Sequence, residues 1–461
     1  MVKIGAHELE YIFYHLNHHC TLHEALRKHF RFGTPDNADV KTPAVQFPLS
    51  DEFPQTNIIA VQALPVLFPV SDAADFYRFD GQNNLIFNHD LLTSAFYLLS
   101  GRQEYEAQNK DALGRFPYVG SIQHQHNFIS KPVVNYYFEI IIQALEKFCG
   151  LHHIAFSRKK PFGEFAFFLT HDIDYVDEYH FWEVALKVKQ LLVPKISPYS
   201  FSASLQLAVK SLMHYAGLWR QKNNFWNFDY LLGLEEKLDI KAAYYFLEKH
   251  GLHDNSRYHF SEERIKRLVK ELTTKGIETG LHFNRQAAYD AHALEDNLKR
   301  YNASLNPDNK PVGGRYHTLQ FELPASMNYL EKIGILYDSS LGFAAHEGFR
   351  NSYCFPFKLF DFEKSRMIDV WEVPLNIMDT TLFNYRKYTM EEAHNGIINL
   401  MDEVKKFGGV LTILWHNTFF DECRVTGITA FYESVLVTIV NNSPKCYNGI
   451  DIVSAMNAIH A

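Results

Sequence analysis

Phe167-Phe168-Leu169-Thr170-His171-Asp172-Ile173-Asp174-Tyr175 is an apolar run that breaks abruptly into His, Asp and Asp. Following the lone charge of Glu164, it reads as a buried parallel strand whose C-terminal end delivers polar groups to a site. Asp172 and Asp174 stand two residues apart, so on an extended backbone both carboxylates point to one side and His171 to the other. Two same-side carboxylates repel unless a cation or a shared proton sits between them. The competing reading is a strand end whose acids simply cap the next helix.

The chain downstream alternates strand with helix. Val176 to Leu238 is an excursion rich in Trp, Phe, Lys and Leu that reads as helices, and Ile240 to Leu247 is a second buried strand. Ser261 is placed to cap a helix whose buried face is Ile265, Leu268, Val269 and Leu272, with Glu262 and Glu263 complementing its dipole and Gly276 ending it. Ile277 to His282, Val312 to Leu319, Ile335 to Asp338, Met367 to Val373 and Gly409 to His416 are five further strand candidates, with Pro324 to Gly334 a helix. This alternation predicts an α/β fold, a distorted (β/α) barrel of about seven parallel strands, closed or nearly so, over residues 158–461.

Residues 1–157 read as a smaller α+β domain. Leu9, Phe13 and Leu16 form one helical stripe, and His18-His19-Cys20 reads as a solvated helix end, because adjacent histidines on a helix diverge. Lys41 to Asp51 is loop-like, Ile58 to Pro69 and Asn84 to Asn88 resemble strand pieces, and Gly114 marks a turn. Asp90 starts a helix and Val133 to Phe148 is a core helix. His124 and His126 alternate on what reads as an extended segment without a third ligand nearby.

Bulk properties exclude several function classes. At 461 residues the chain exceeds one ordinary core. A formal net charge of −8 argues against nucleic acid as the main partner. Five scattered cysteines, never in a CxxC pair, describe neither a disulfide framework nor a cysteine zinc site. The longest apolar run, Ile58 to Val70, is cut by Pro65 and Pro69 and is too short to span a bilayer. The N-terminus has no apolar stretch of signal-peptide length, so the expected location is the cytoplasm.

The strand ends present His171, Asp172 and Asp174, then His282, Arg315 and His317, Asp338, Glu372 and His416. Chemistry in barrel enzymes collects at C-terminal strand ends. One carboxylate and two imidazoles bind a divalent ion and leave positions open, a second carboxylate takes a proton from water, and a separate histidine protonates the leaving group. Each residue alone also fits a structural role, such as a backbone hydrogen bond or an ion pair.

In this order, Thr170-His-Asp-Ile-Asp174, Gly280-Leu-His282, Arg315-Tyr-His317, Tyr337-Asp-Ser-Ser340 and Leu414-Trp-His416 resemble the polysaccharide deacetylase superfamily (NodB homology, like carbohydrate esterase family 4), in its bacterial HDxD branch. Phe96-Tyr-Leu-Leu-Ser100, Gly114-Arg115-Phe116 and Lys131-Pro-Val-Val134 are similar to an uncharacterised domain preceding that branch. The resemblance implies hydrolysis of the acetamide of an N-acetylated saccharide with a divalent metal, zinc. Position by position it makes Asp172 the base, Asp174 and His282 metal ligands, Arg315 the residue that positions the base, and His416 the acid.

Two departures stand out. The family's second metal histidine falls four residues after the first, where this chain has Gln286, and its Arg-x-Pro segment reads Arg315-Tyr-His317. We therefore expect His317 to supply the missing imidazole, with His171 the weaker candidate because it points the other way. Asp379 is either a partner for the far nitrogen of a site histidine or a loop residue in an Asx turn. The leading expectation is a sugar N-deacetylase acting on a nucleotide- or lipid-linked precursor of a surface polysaccharide. A hydrolase opening a cyclic amide, and a non-catalytic glycan-binding or assembly protein suggested by Gln286, are the competing readings.

Overall fold

The computed structural model describes residues 4–33, 43–50, 58–193, 195, 200–220, 222–249, 256–305 and 311–460. In the N-terminal region the strands are β1 (Phe30–Phe32), β2 (Val45–Phe47), β3 (Ile59–Val61), β4 (Leu64–Val66), β5 (Tyr77–Phe79) and β6 (Leu85–Phe87). They form a four-stranded sheet ordered β1-β2-β6-β5 and a separate β3-β4 pair. Asp90 caps the helix Leu91–Leu99 by accepting from the Thr93 N–H, and every residue of that helix is buried. Helix Val133–Leu151 packs beside it with an apolar face of Val134, Phe138, Ile141 and Leu145.

The larger sheet begins with β7 (Ala166–Ile173), all eight residues of which are buried. It continues with β8 (Ala242–Phe246), β9 (Glu278–Phe283), β10 (Gly313–Tyr316), β11 (Tyr337–Asp338), β12 (Phe357–Asp361), β13 (Arg366–Glu372), β14 (Ile377–Met378), β15 (Val410–Leu414) and β16 (Lys445–Cys446). The order is β12-β13-β11-β10-β9-β8-β7-β15-β14, with β16 beside the first residues of β7. All neighbours are parallel except β12 and β13. The chain is thus an α/β protein with a curled, mostly parallel sheet and a smaller N-terminal α+β region. The expected barrel stays open between β12 and β14, although the Val410 N–H donates to the Cys354 carbonyl at 2.8 Å across the gap.

Register decides which side chains meet. Asp172 pairs with Tyr245, His282 with Arg315, and Asp338 with Glu372. Parallel partners share a face, so Asp338 and Glu372 alternate to the other face, while Asp172, His282 and Arg315 rise on the concave side at the strands' C-terminal ends. Below them the concave side is crowded. Tyr245 and Tyr337 share a hydroxyl–hydroxyl bond of 2.8 Å, and Tyr337 donates to Glu278. Glycine is required beside them: a methyl group at Gly313 would lie 2.0 Å from Tyr337 Cε1, and one at Gly314 would lie 2.0 Å from the Leu281 carbonyl oxygen.

Several sequence expectations need correction. Helix Glu263–Thr274 is capped at Glu262, not Ser261: a turn donates the Glu262 N–H to the His259 carbonyl and places Ser261 one residue outside the helix. His18 is fully buried and His19 bonds the Tyr353 hydroxyl at 2.8 Å, so this helix end is covered rather than solvated. Burial lowers His19 to about 3. His124 lies in the short helix Ile122–Gln125 and His126 caps it, both exposed, instead of alternating on a strand. β2 falls within the stretch expected to be loop, and residues 41, 42 and 51 of that stretch lie outside the described residues.

The two regions share one continuous hydrophobic core. Polar contacts fasten them as well: the Cys354 N–H donates to Asn135 Oδ1 at 2.9 Å, and Gln123 Nε2 donates to the Arg350 carbonyl at 2.6 Å. The contact at Gly314 is backbone against backbone and has nowhere to relax. Gly314→Ala should therefore cost about 3 kcal/mol or more, at or above the usual range for overpacking, read as a lowered urea midpoint.

Candidate active site

Asp174, His282 and His317 each offer one ligand atom, and these atoms lie within 4.8 Å of one another. His282 comes from β9. Its Nδ1 lies 2.8 Å from the Arg315 carbonyl, which can only accept, so Nδ1 carries a proton. Burial would lower the imidazole, but the Asp172 and Asp174 carboxylates outweigh it and raise it, and a bound cation would take the Nε2 lone pair in place of a second proton. That Nε2 stands 3.4 Å from Asp174 Oδ1 and 3.6 Å from Asp172 Oδ2. His317 follows β10, where the strand gives way to a single turn with Thr318 and Leu319 at φ 59° and 55°. Its ring centroid is 5.1 Å from that of His282.

The donor set fits a divalent cation. Asp174 Oδ1 and His317 Nδ1 are buried without a hydrogen-bond partner, which in a dry site is costly unless something else satisfies them. Burial would raise the Asp174 carboxyl, but the contact with His282 and the charge of the surrounding imidazoles hold it well below the usual carboxylate range. Burial drives His317 down to about 4, against the pull of Asp174, so it is a neutral imidazole at physiological pH. One carboxylate oxygen and two neutral nitrogens are the ligands of an open catalytic site, and zinc is among the ions that accept them.

Two further devices flank the triad. Asp172 Oδ1 accepts from Arg315 Nη1 at 2.9 Å, and that guanidinium is wholly buried. Arg315 also donates to Thr170 Oγ1, the Ser339 carbonyl and Ser339 Oγ, and lies 5.2 Å above the Tyr245 ring. On the other side, Asp379 Oδ1 accepts from His416 Nδ1 at 2.8 Å while Oδ2 accepts the His416 backbone N–H at 2.6 Å. His416 Nε2 is thereby aimed inward, 3.8 Å from Asp174 Oδ2. Burial lowers His416, but Asp379 outweighs it and raises the imidazole to about 10. Asn417 fastens this loop by donating to the Tyr175 and Phe225 carbonyls, both at 2.7 Å.

The structure brings Asp172, Asp174, His282, Arg315, His317, His416 and Asp379 together and leaves His171 out. His171 sits on the opposite face of β7, between the Trp415 carbonyl at 2.6 Å and Glu235 Oε1 at 2.9 Å. This is the side that strand alternation predicts for it, and it leaves His171, the weaker candidate for the missing imidazole, without a place beside the triad. Gln286, in the turn Gln286–Ala288, adds no group to the triad. Three supports were given no role by the sequence: Tyr245 beneath Arg315, and two residues inside motifs already noted, Thr170, which accepts from Arg315, and Arg115 of the N-terminal region, which donates to the Thr318 carbonyl at 2.9 Å. Ser339 lay within a motif already noted, without a role.

A family model described as a family of unknown function, DUF7033, matches residues 2–149. No curated protein matches the chain. Among solved structures, the chain is similar to a Mycobacterium smegmatis protein provisionally described as a polysaccharide deacetylase. The identity is 13% over 64% of this chain and 90% of that one, with a TM-score of 0.41. A Bordetella bronchiseptica protein, provisionally described as a polysaccharide deacetylase involved in O-antigen biosynthesis, matches at 13% identity over 63% and 89%, with a TM-score of 0.29. The 4-α-glucanotransferase of Thermococcus litoralis matches at 12% identity over 63% and 38%, with a TM-score of 0.33.

On the other face of the sheet from Arg315, Asp338 and Glu372 form a buried, mutually hydrogen-bonded acid pair. Asp338 accepts from the Ser340 N–H and hydroxyl, and Glu372 Oε1 accepts the Leu341 N–H at 2.9 Å. Burial raises both carboxyls, and Asp338 pushes Glu372 well above the ordinary range. A raised carboxyl contributes stability below its unfolded value and loses it as pH climbs through the folded one. Glu372→Gln keeps the shape and removes that titration. As pH climbs from the ordinary carboxylate range through the raised value of Glu372, the wild type should lose urea stability relative to the variant, and parallel curves would refute the upward shift of Glu372.

Proposed function

We propose that this chain is a metal-dependent hydrolase that removes the acetyl group from an N-acetylated saccharide. The observation that carries the reading is the convergence of Asp174, His282 and His317, flanked by Asp172 on Arg315 and by His416 on Asp379. Asp174, His282 and His317 would hold the ion. When bound, a divalent cation supplies Lewis-acid polarisation of a carbonyl and acidification of water.

The chain's own groups account for the proton traffic. Asp172 is turned by Arg315 so that Oδ2 faces His282 and the triad, where it takes the proton of the attacking water. Oxygen attacks the acetyl carbon, the carbon–nitrogen bond breaks, and acetate leaves. His416 gives its Nε2 proton to the departing amine, and the Asp379 carboxylate stabilises the imidazolium beforehand and fixes its orientation. With His317 beside His282, the ligand set does not depend on Gln286, which removes the motive for preferring a non-catalytic binding protein.

Acetate release from N-acetylated saccharides by the metal-loaded protein tests this reading. Asp172→Asn should lower kcat/KM at least about a thousandfold with metal still bound, and His416→Gln about a hundredfold or more. Asp379→Asn should fall between wild type and His416→Gln. No acetate release from any acetylated sugar, with metal stoichiometric, would shift the reading to another C–N hydrolase.

A further inference from the structure

The excursion between β7 and β8 is built inside out. In helix Phe181–Leu192 the residues turned toward the protein include Glu183 and Lys187, which pair with Arg257 and Glu178. Its outward face carries Phe181, Trp182, Leu186 and Leu192, with Trp182 61% exposed. Helix Phe201–Tyr215 packs against it with Ser204, Leu207, Ala208 and Ser211 inward, while Phe201, Leu205, Val209 and Leu212 run down its exposed side at helical spacing. Leu218 and Trp219 follow, also exposed. More than half of the large apolar side chains left exposed among the described residues lie between Phe181 and Trp219. Contiguous apolar surface of this extent marks an interaction site.

Charge says which partner. From Val184 to Phe228 there is no Asp or Glu, while Lys187, Lys189, Lys195, Lys210, Arg220 and Lys222 fall within the same stretch of a chain whose net charge is −8. Lys189, Arg220 and Lys222 are exposed around the apolar face. A second copy of the chain would set these cations against one another. Exposed aromatic and leucine side chains accompanied by exposed Lys and Arg, with the one acid of the two helices, Glu183, turned inward and paired with Arg257, match an anionic lipid surface. No helix among the described residues is long and apolar enough to cross a membrane, so the contact is one of lying on the interface.

We propose that the helices Phe181–Leu192 and Phe201–Tyr215, with Leu218 and Trp219, dock the protein on an anionic lipid surface, with their apolar face sunk at the headgroup boundary and the neighbouring cations among the headgroups. The docking face adjoins the candidate active site. Its first helix follows the strand that carries Asp172, and a cavity of about 400 Å³ beside that helix is lined by Tyr175 and Thr418, neighbours in sequence of the candidate site, and by Glu178, Glu183, Lys187 and Asp421. One consequence rests on the hydrolase reading: the saccharide substrate is the headgroup of an amphiphile held in the same bilayer.

Cosedimentation of the full chain with vesicles tests the docking. Vesicles of phosphatidylcholine with phosphatidylglycerol should retain the wild type, and phosphatidylcholine alone should retain much less. The variants Trp182→Ser/Leu205→Ser/Leu212→Ser and Lys189→Ser/Arg220→Ser/Lys222→Ser, all at exposed positions, should each bind at least about tenfold more weakly with unchanged thermal unfolding. Wild type that stays in the supernatant, equal binding to both lipid mixtures, or undiminished binding by the variants would overturn the proposal. So would light scattering that shows a dimer dissolved by the apolar variant with no vesicle binding. Metal content measured on the same preparations keeps a failure here distinct from a failure of the hydrolase reading.

Discussion

A guanidinium with no access to water has to be satisfied completely, and Arg315 is satisfied by almost everything that defines the site. Its side chain binds Asp172 and Thr170 from β7 and both the carbonyl and hydroxyl of Ser339 beyond β11, while the Tyr245 ring of β8 lies beneath it. Its own carbonyl fixes the tautomer of His282 on β9. One residue therefore aims the Asp172 carboxylate through its side chain and the His282 imidazole through its backbone. Removing it would leave a buried carboxylate unpaired, a loss of the kind worth about 3–5 kcal/mol.

That constraint explains the crowding beneath it. The Tyr245–Tyr337 pair fills the concave side of the sheet, and Gly280 and Gly313 stand where a methyl group would strike Tyr245 or Tyr337. The floor is rigid, which suits groups that must hold fractions of an ångström. The rim is more varied. The N-terminal region reaches it through Arg115, which grips the left-handed Thr318 just after His317, and the helical pair after β7 forms another wall. The candidate site is thus held by the sheet, while its surroundings come from outside it.

Much of this was legible in the sequence because strand alternation and strand-end polarity are local. Asp172 and Asp174 on one side with His171 on the other follow from a period of two, as does the placement of His317 with Arg315. That His317 stands beside His282 was readable because the two strands are neighbours in the sheet. What stayed hidden depends on distant partners. His18 and His19 look solvated until the segment around Tyr353 covers them. The Glu235 carboxylate that occupies His171 arrives from a helix more than sixty residues away in the chain. Two-residue strands such as β14 and β16, and the antiparallel β12, carry too little pattern to announce themselves. The inverted excursion was read as helical, but its inside-out burial is a tertiary property.

The central claim is that His317 completes a metal site with Asp174 and His282. Elemental analysis of the purified protein after metal loading, wild type beside His317→Ala, tests it most directly. Near-stoichiometric divalent metal in the wild type and its loss in His317→Ala is the predicted result. Equal metal in both would contradict the assignment of His317, and no metal in either would contradict the site itself.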